Sequence, residues 1–300
     1  MTNGKKALIT GIKGFTGHYM AAELSAAGYD VYGLGSACSD NIDNYFQVDL
    51  TDNIQVKNAV DCISPDVVVH LAAIAFVGHS NPNAFYDVNL SGTRNLLSAL
   101  TETKKKPEAV LVASSANVYG NNIAGKLDES TLPNPANDYA VSKLAMEYMA
   151  NLFKDRLPLI ITRPFNYTGV GQAENFLIPK IVKHFRERKD VIELGNIDVW
   201  RDFSDVRDLV KCYAELLKCK AFGEVVNVAT GEMHSLRDVI SLCEDITGHS
   251  ITIEVNPGFV RPNEIKELCG DISLLNSLIG HEMQKVPLRE TLKWMLETKS

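Results

Sequence analysis

Short apolar runs alternate with longer amphipathic stretches along the first 165 residues. The runs at 6–10 (KALIT), 29–34 (YDVYGL), 66–73 (DVVVHLAA), 109–115 (AVLVASS) and 158–162 (PLIIT) are rich in β-branched residues and mostly lack polar alternation. Runs of this kind mark strands buried on both faces. Between them the 3.6-residue period of an amphipathic helix runs near 15–27, 54–63, 82–102 and 137–154. Strand–helix alternation predicts an α/β protein built on a doubly wound parallel sheet.

After residue 165 the rhythm loosens. Helical patterns near 175–188, 205–219, 235–247 and 286–298 mix with short strands VIEL, EVVNVA and ITIEV, and Pro and Gly punctuate stretches such as NPGFVRPNE at 256–264. This predicts a first domain over 1–165, with segments near 195–230 returning to its sheet. A smaller, interleaved domain takes most of 166–300. The cleft between them lies above the carboxyl ends of the strands, where open α/β sheets bind ligands.

Composition narrows the classes. The 300 residues are 45% hydrophobic and 22% charged, as in ordinary globular proteins. A net charge of −7 argues against a nucleic-acid surface, and Lys104-Lys105-Lys106 before Pro107 reads as a solvated loop. The six cysteines form no CxxC pair and have no His at metal spacing, so no metal site is expected. They read as small buried hydrophobes in a reducing compartment. No apolar stretch approaches the ~18 residues of a membrane span. The expectation is a cytoplasmic protein without membrane or nucleic-acid partners.

The connection after the first strand is TGIKGFTG, with Gly11, Gly14 and Gly17 spaced GxxGxxG rather than the usual GxGxxG. Glycines permit a tight turn and close approach of backbone N–H groups to a pyrophosphate, and the following helix presents its N-terminus. A Rossmann dinucleotide site is therefore expected here. Such sites carry Asp or Glu about 20 residues on, for the ribose hydroxyls. Here Gly35 and Ser36 stand at that place, with neither acid nor arginine. Without a carboxylate to repel it, a 2′-phosphate is tolerated and Ser36 is a candidate to hydrogen-bond it, which favours NADP(H) over NAD(H). Asp49 is the candidate for the adenine amino group, the alternative being a helix N-cap.

Tyr139 and Lys143 in NDYAVSKLAMEY lie four apart, on one helical face. They follow a strand ending in Ser114-Ser115, in a chain with a dinucleotide turn. Moving hydride to or from a sugar carbon requires a proton to move on the neighbouring oxygen. A tyrosine whose pKa is drawn down by an ammonium group and the nicotinamide charge performs that near neutrality. Lys143 would also hold the nicotinamide ribose, and Ser115 would polarise the carbonyl. His70 reads as a packing residue at a strand end.

The chain resembles the extended short-chain dehydrogenases/reductases, the family of nucleotide-sugar epimerases, dehydratases and reductases. The resemblance rests on TGIKGFTG, HLAA (70–73), VNLSGTRNLL (88–97), SSANVYG, YAVSK (139–143), RPFNYTGVGQ (163–172), RDFSDVRD (201–208) and RPNEIKELCGD (261–271). It implies that Ser115, rather than Ser114, is the catalytic hydroxyl beside Tyr139 and Lys143. It also implies that Phe15, Thr16, Leu50, Leu71, Ala72, Ala73 and Asn89 line the cofactor. Asn117, Asn166, Asn175, Arg201, Arg261 and Glu264 would face a nucleotide-diphosphate sugar. For Asn166 and the arginines, a turn residue and surface ion pairs are the plainer alternative.

Reaction type turns on Asn117. Sugar 4,6-dehydratases of the family resemble one another in carrying an acid there, which takes a proton from C5; an amide cannot. Dehydration thus lacks its base, and hydride transfer at C4 remains. AENFLIPKI, LGNIDVWRDFSDVRD and RPNEI resemble the branch that handles GDP-sugars, which implies reduction of a GDP-4-keto-6-deoxy sugar. A nucleotide-sugar 4-epimerase with tightly held NAD is the alternative, and a non-catalytic NADP-binding regulator a further one. Long helices with apolar residues on more than one face, among them Leu96, Leu97, Leu100, Met146, Met149 and Leu152, suggest a homodimer.

Overall fold

Seven parallel strands form the central sheet of the computed structural model, which describes residues 4–38, 43–76, 80–120, 125–260 and 266–298. The chain begins β1 (Lys6–Thr10), α1 (Phe15–Ala26), β2 (Asp30–Gly35), β3 (Tyr45–Gln47), α2 (Asn53–Ile63) and β4 (Val67–His70). It continues with α3 (Asn83–Phe85), a π-helical segment (Tyr86–Gly92), α4 (Thr93–Glu102), β5 (Ala109–Ala113), a 3-10 turn (Ala116–Tyr119), β6 (Lys126–Leu127), α5 (Asp138–Asn151) and β7 (Leu159–Pro164). Then follow β8 (Asn166–Thr168), α6 (Leu177–Arg186), β9 (Val191–Leu194), β10 (Trp200–Arg201), β11 (Phe203–Asp205), α7 (Val206–Cys219) and β12 (Val225–Val228). The last elements are β13 (His234–Ser235), α8 (Leu236–Thr247), β14 (Thr252–Val255), a second 3-10 turn (Pro257–Phe259), β15 (Glu267–Gly270), α9 (Ser273–Ile279) and α10 (Leu288–Glu297).

The sheet order is β3-β2-β1-β4-β5-β7-β12. The order reverses between β1 and β4, which pair in register from Ala7 against Val67 to Thr10 against His70. A crevice therefore opens at their carboxyl ends. Both faces of the sheet are covered, as unalternating apolar strands require. On one face Leu8, Val68 and Val110 pack with Leu96, Leu97, Leu100 and Met146; on the other Ile9, Val69 and Leu111 pack with Met20, Leu24, Leu209 and Tyr213. A third core joins α6, α8 and α10 through Ile178, Phe185, Val239 and Leu292.

Several expectations shift. The strand expected at 66–73 closes at His70, and residues 71–76 carry no regular structure. The helix expected at 82–102 is helical from Asn83 to Glu102, but its Tyr86–Gly92 stretch is π-wound. Leu96, Leu97, Leu100 and Met146 are wholly buried in the protomer's own core, so they are not free for a subunit contact. The exposed apolar residues of α5 and its C-cap are Val141, Tyr148 and Leu152. Only Cys212, Cys243 and Cys269 are buried; Cys38, Cys62 and Cys219 are exposed, on loops and helix faces that the core does not reach.

Candidate functional site

The first glycine turn sits at the crevice. Gly11 has φ +73°, and a Cβ there would come within 2.9 Å of the Ala72 backbone. A Cβ on Gly17 would meet the Gly11 carbonyl at 2.3 Å and the Ile12 backbone at 2.6 Å. Only glycine lets the turn fold under the β4 exit and lets α1 start directly above it. Gly14 is the N-cap of α1, with no side chain capping the first-turn N–H groups. Those orphan donors and the helix dipole form an anion cradle that fits a dinucleotide pyrophosphate. Phe15 and Thr16 turn toward β8: Phe15 stacks on Tyr167 at 6.1 Å between centroids, and Thr16 Oγ1 is 2.9 Å from the Tyr167 hydroxyl.

Lys13, inside the glycine turn, reaches out to donate from Nζ to the Cys38 carbonyl at 2.6 Å. Ser36 is exposed, and its carbonyl accepts from Gln47 Nε2 at 3.0 Å. Asp49 does not cap a helix. Its carboxylate accepts from Thr51 N and Oγ1 at 2.9 and 2.8 Å, whereas Asp52 caps α2. The next residue, Leu50, is buried against the Gly92 side of the π-wound segment.

The β5 exit and α5 meet beside the turn. Of the two serines, Ser114 has its Oγ buried without a hydrogen-bond partner among the described residues, while the Ser115 hydroxyl lies close enough to Tyr139 to favour its ionised form. Ser115 Oγ also accepts from Asn117 N at 3.2 Å and from Asn117 Nδ2 at 3.1 Å. Asn137 caps α5, Tyr139 and Lys143 lie on its buried face, and Lys143 Nζ donates to the Ala113 carbonyl at 2.7 Å. Asn89 fixes the other wall: its Oδ1 accepts from Ile74 N at 2.9 Å and its Nδ2 donates to Ser142 Oγ at 3.1 Å. The Asn89 bonds span the Leu71–Ala73 stretch that leaves β4, and Thr10 Oγ1 accepts from Ala72 N at 3.2 Å. Gly11, Ala72, Asn89, Ser115, Asn117, Tyr139 and Lys143 thus share one crevice.

Burial sets the protonation states. The Lys143 ammonium is drawn down from 10.5 to about 8 by burial, with Glu147 one turn on opposing the shift. In the protein without cofactor, burial pushes the Tyr139 phenol up to about 12, and the nearby Ser115 hydroxyl offsets only part of this. Desolvation outweighs any neighbouring cation, so the free protein carries a neutral phenol. His70 is pushed down to about 3 by burial and then by the Lys143 charge. Its ring nitrogens lie 2.7 Å from Thr10 Oγ1 and 2.8 Å from Thr93 Oγ1, so it is a neutral brace between β1, β4 and α4.

The remaining candidates are more dispersed. Asn166 opens β8, and its Nδ2 is buried without a hydrogen-bond partner among the described residues. Asn175 is exposed before α6. Arg201 donates from Nη1 to the Trp200 and Lys266 carbonyls at 2.9 and 3.1 Å, which ties β10 to the chain entering β15. Beside it Asp202, fully buried, accepts from Thr230 N, Thr230 Oγ1 and Gly231 N at 2.7–2.8 Å. Arg261 and Glu264 lie outside the described residues. Among the described residues there is no cluster of three metal-ligating side chains and no helix long and apolar enough to cross a membrane.

A family profile described as GDP-mannose 4,6 dehydratase matches residues 8–295. A GDP-6-deoxy-D-talose 4-dehydrogenase of Aggregatibacter actinomycetemcomitans is 34% identical over 98% of both chains. A GDP-6-deoxy-D-mannose reductase of Pseudomonas aeruginosa is 31% identical, over 97% of this chain and 96% of that one. Among solved structures, a Burkholderia cenocepacia J2315 protein provisionally named an epimerase is 47% identical with a TM-score of 0.93, covering 99% of this chain and 98% of that one. RMD from Pseudomonas aeruginosa, complexed with NADPH, has 29% identity and a TM-score of 0.84 over 97% of this chain and 98% of that one. With its crevice, its glycine cradle and a match over nearly its whole length, this chain belongs to the GDP-mannose 4,6-dehydratase family of extended short-chain dehydrogenases/reductases, NAD(P)-dependent enzymes of nucleotide-sugar modification.

Proposed function

We propose that this chain reduces the C4 keto group of a GDP-4-keto-6-deoxy sugar. A nicotinamide cofactor, when bound, supplies the hydride. Tyr139 gives its phenolic proton to the sugar oxygen, and its position near pKa 12 keeps that proton in place until the oxygen gains charge. Ser115, beside Tyr139, polarises the carbonyl. Lys143 contributes a cation and a donor at the ribose. Asn89 holds the β4 exit, with Gly11, Gly14, Gly17, Leu71, Ala72 and Ala73 lining the dinucleotide.

Asn117 carries the choice of reaction. Its amide is committed to Ser115 through Nδ2, and an amide has no basicity with which to take a carbon-bound proton. By the resemblance, the family's dehydratases are expected to carry an acid at this place. Substrate recognition falls to Asn166, whose buried amide donor has no partner among the described residues, and to Asn175, Arg201, Arg261 and Glu264. A buried donor of that kind costs free energy unless a ligand satisfies it. The GDP-sugar names of the relatives at 34% and 31% identity support this substrate class. We further propose a cytoplasmic homodimer that pairs through Val141 and Tyr148 of α5 and Leu152 at its C-cap. The dinucleotide domain would take 1–165 and the segments near 195–230, and the substrate domain most of 166–300.

The test supplies two substrates to the pure protein. GDP-mannose with NADP⁺ should give no 4-keto-6-deoxy product. The keto sugar with NADPH should oxidise one cofactor per sugar reduced, read at the nicotinamide absorbance band with nucleotide-sugars separated by chromatography. Dehydration of GDP-mannose would refute the reading. The provisional epimerase name of the Burkholderia structure supports a second reading, a 4-epimerase; that enzyme would interconvert two 4-hydroxy sugars without net cofactor change.

A further inference from the structure

We propose that Arg163 and Glu147 are positioning residues for the reaction: Arg163 locks the helix of Tyr139 and Lys143 to the turn of Ser115 and Asn117, and it holds the Glu147 carboxylate one helical turn from Lys143. The proposal rests on the nicotinamide-dependent reading above. Arg163 stands on β7, where alternation puts it on the same face as Leu159 and Ile161, toward α5. Its guanidinium is engaged on both sides. Nε and Nη2 donate to the two Glu147 oxygens at 3.0 and 2.7 Å, and Nη1 donates to the Tyr119 hydroxyl at 3.1 Å. Tyr119, wholly buried, donates in turn to Asn227 Oδ1 on β12 at 2.7 Å. Glu147 follows Lys143 on α5, and Tyr119 ends the 3-10 turn that Ser115 caps. One planar cation therefore joins the two elements that carry the reacting side chains, through a fork that fixes direction as well as distance.

Stability alone does not call for these charges. The Arg163 and Glu147 side chains are each 7% exposed, and a well-packed apolar pair in their place is expected to be about as stable or more so. What the charges add concerns Lys143. Lysine and glutamate four apart on a helix are placed to pair with each other. Here Lys143 Nζ donates to the Ala113 carbonyl instead, and both carboxylate oxygens are taken by Arg163. Arg163 thus keeps Glu147 from drawing the ammonium away from the ribose site. The carboxylate still acts across the turn: burial lowers the Lys143 ammonium to about 8, and the Glu147 charge opposes that fall. The other groups around Lys143 bring no second countercharge. His70 from β4 and Tyr139 from α5 are neutral, Ser115 and Asn117 from the turn and Asn89 from the π-wound segment are uncharged, and Arg163 from β7 is a cation.

The experiment follows the affinity of the full chain for NAD⁺ and for NADP⁺ against pH by calorimetry, with no sugar present. Wild type, Glu147→Gln, Arg163→Lys and the double variant Glu147→Leu with Arg163→Leu are compared. In wild type the affinity should fall through a midpoint near 8, where Lys143 loses its proton. Glu147→Gln should move that midpoint down by about one pH unit, and so should the double variant, which leaves no buried charge alone. Arg163→Lys leaves the carboxylate a cation and should hold the wild-type midpoint, while turnover with the keto sugar falls about 10-fold because the fork is lost. A midpoint unchanged in Glu147→Gln and in the double variant would overturn the proposal whether or not turnover falls, since a pair that only stabilises the fold leaves Lys143 titrating where it did. So would an Arg163→Lys midpoint displaced as far as that of Glu147→Gln, or a wild-type affinity that is flat through pH 8. A wrong sugar would abolish turnover in every variant and leave the binding midpoints as stated, which separates failure of the proposed reaction from failure of the clamp.

Discussion

Replacing Lys143 by methionine should make the protein more stable while it abolishes function. The lysine is buried, with Nζ 2.7 Å from the Ala113 carbonyl. Burial lowers its folded-state pKa from 10.5 to about 8. At pH 7 the amine is charged in both states, and the depression corresponds to a cost of about 3 kcal/mol to the folded state. Methionine has a similar length and no charge to desolvate, but it forfeits the bond to Ala113, worth about 1 kcal/mol. The net expectation is about 2 kcal/mol of added stability at pH 7. The sign with pH follows from the depressed pKa: between about 8 and 10.5 the unfolded chain binds more protons, so wild-type stability rises with pH across that window. The advantage of the variant should therefore shrink to about zero by pH 10. Urea unfolding of both proteins without cofactor, at pH 7 and pH 10, measures this directly. A Lys143→Met protein less stable than wild type at pH 7, or a gap unchanged at pH 10, would refute the reasoning. Dinucleotide titration of the same sample should show binding lost, a trade of stability for function at a strained site.

Tyr139→Phe should leave dinucleotide affinity nearly intact and lower turnover about 10²–10⁴-fold, measured by steady-state kinetics with the keto sugar; near-normal turnover would remove the assignment. Turnover in wild type should fall as pH rises through about 8, because Lys143 loses its cation there while Tyr139, near 12, stays protonated; a flat rate from pH 7 to 9.5 would contradict this. Arg163→Leu should destabilise by about 3–5 kcal/mol in urea unfolding, since it strands the buried Glu147 carboxylate that Arg163 grips at 3.0 and 2.7 Å. The double variant Arg163→Leu with Glu147→Leu should recover much of that loss, because no uncompensated charge remains buried.

Much of the site could be read from local chemistry. The glycine turn is legible because each requirement is a backbone one: positive φ at Gly11 and contact with the Gly11 carbonyl at Gly17 are demands only glycine meets. Tyr139 and Lys143 are legible because four residues along a helix share a face. The strands β1, β4, β5 and β7 are legible because a strand covered on both faces must be apolar without alternation. By contrast β6, β8, β10, β11 and β13 span only two or three residues, too few for any period, and exist because longer neighbours hold them.

Other features depend on distance in the chain. Ser115 and Tyr139 meet only because β5 and α5 pack together, and the upward push on the Tyr139 pKa in the cofactor-free protein is not legible in the sequence because desolvation is a property of the packed crevice. The alternative role of Asp49 as a cap failed because Asp52, three residues on, is the one placed at the start of α2. The reach of Lys13 to Cys38, and the Tyr45 hydroxyl that blocks Gly35, are set by the pairing of β2 with β3. The sequence alone determined the turn, the helix face and the alternation of elements, since these follow from backbone sterics and local periodicity. Only the tertiary structure decided burial, and with it which groups carry charge, because desolvation is created by residues far away in the chain.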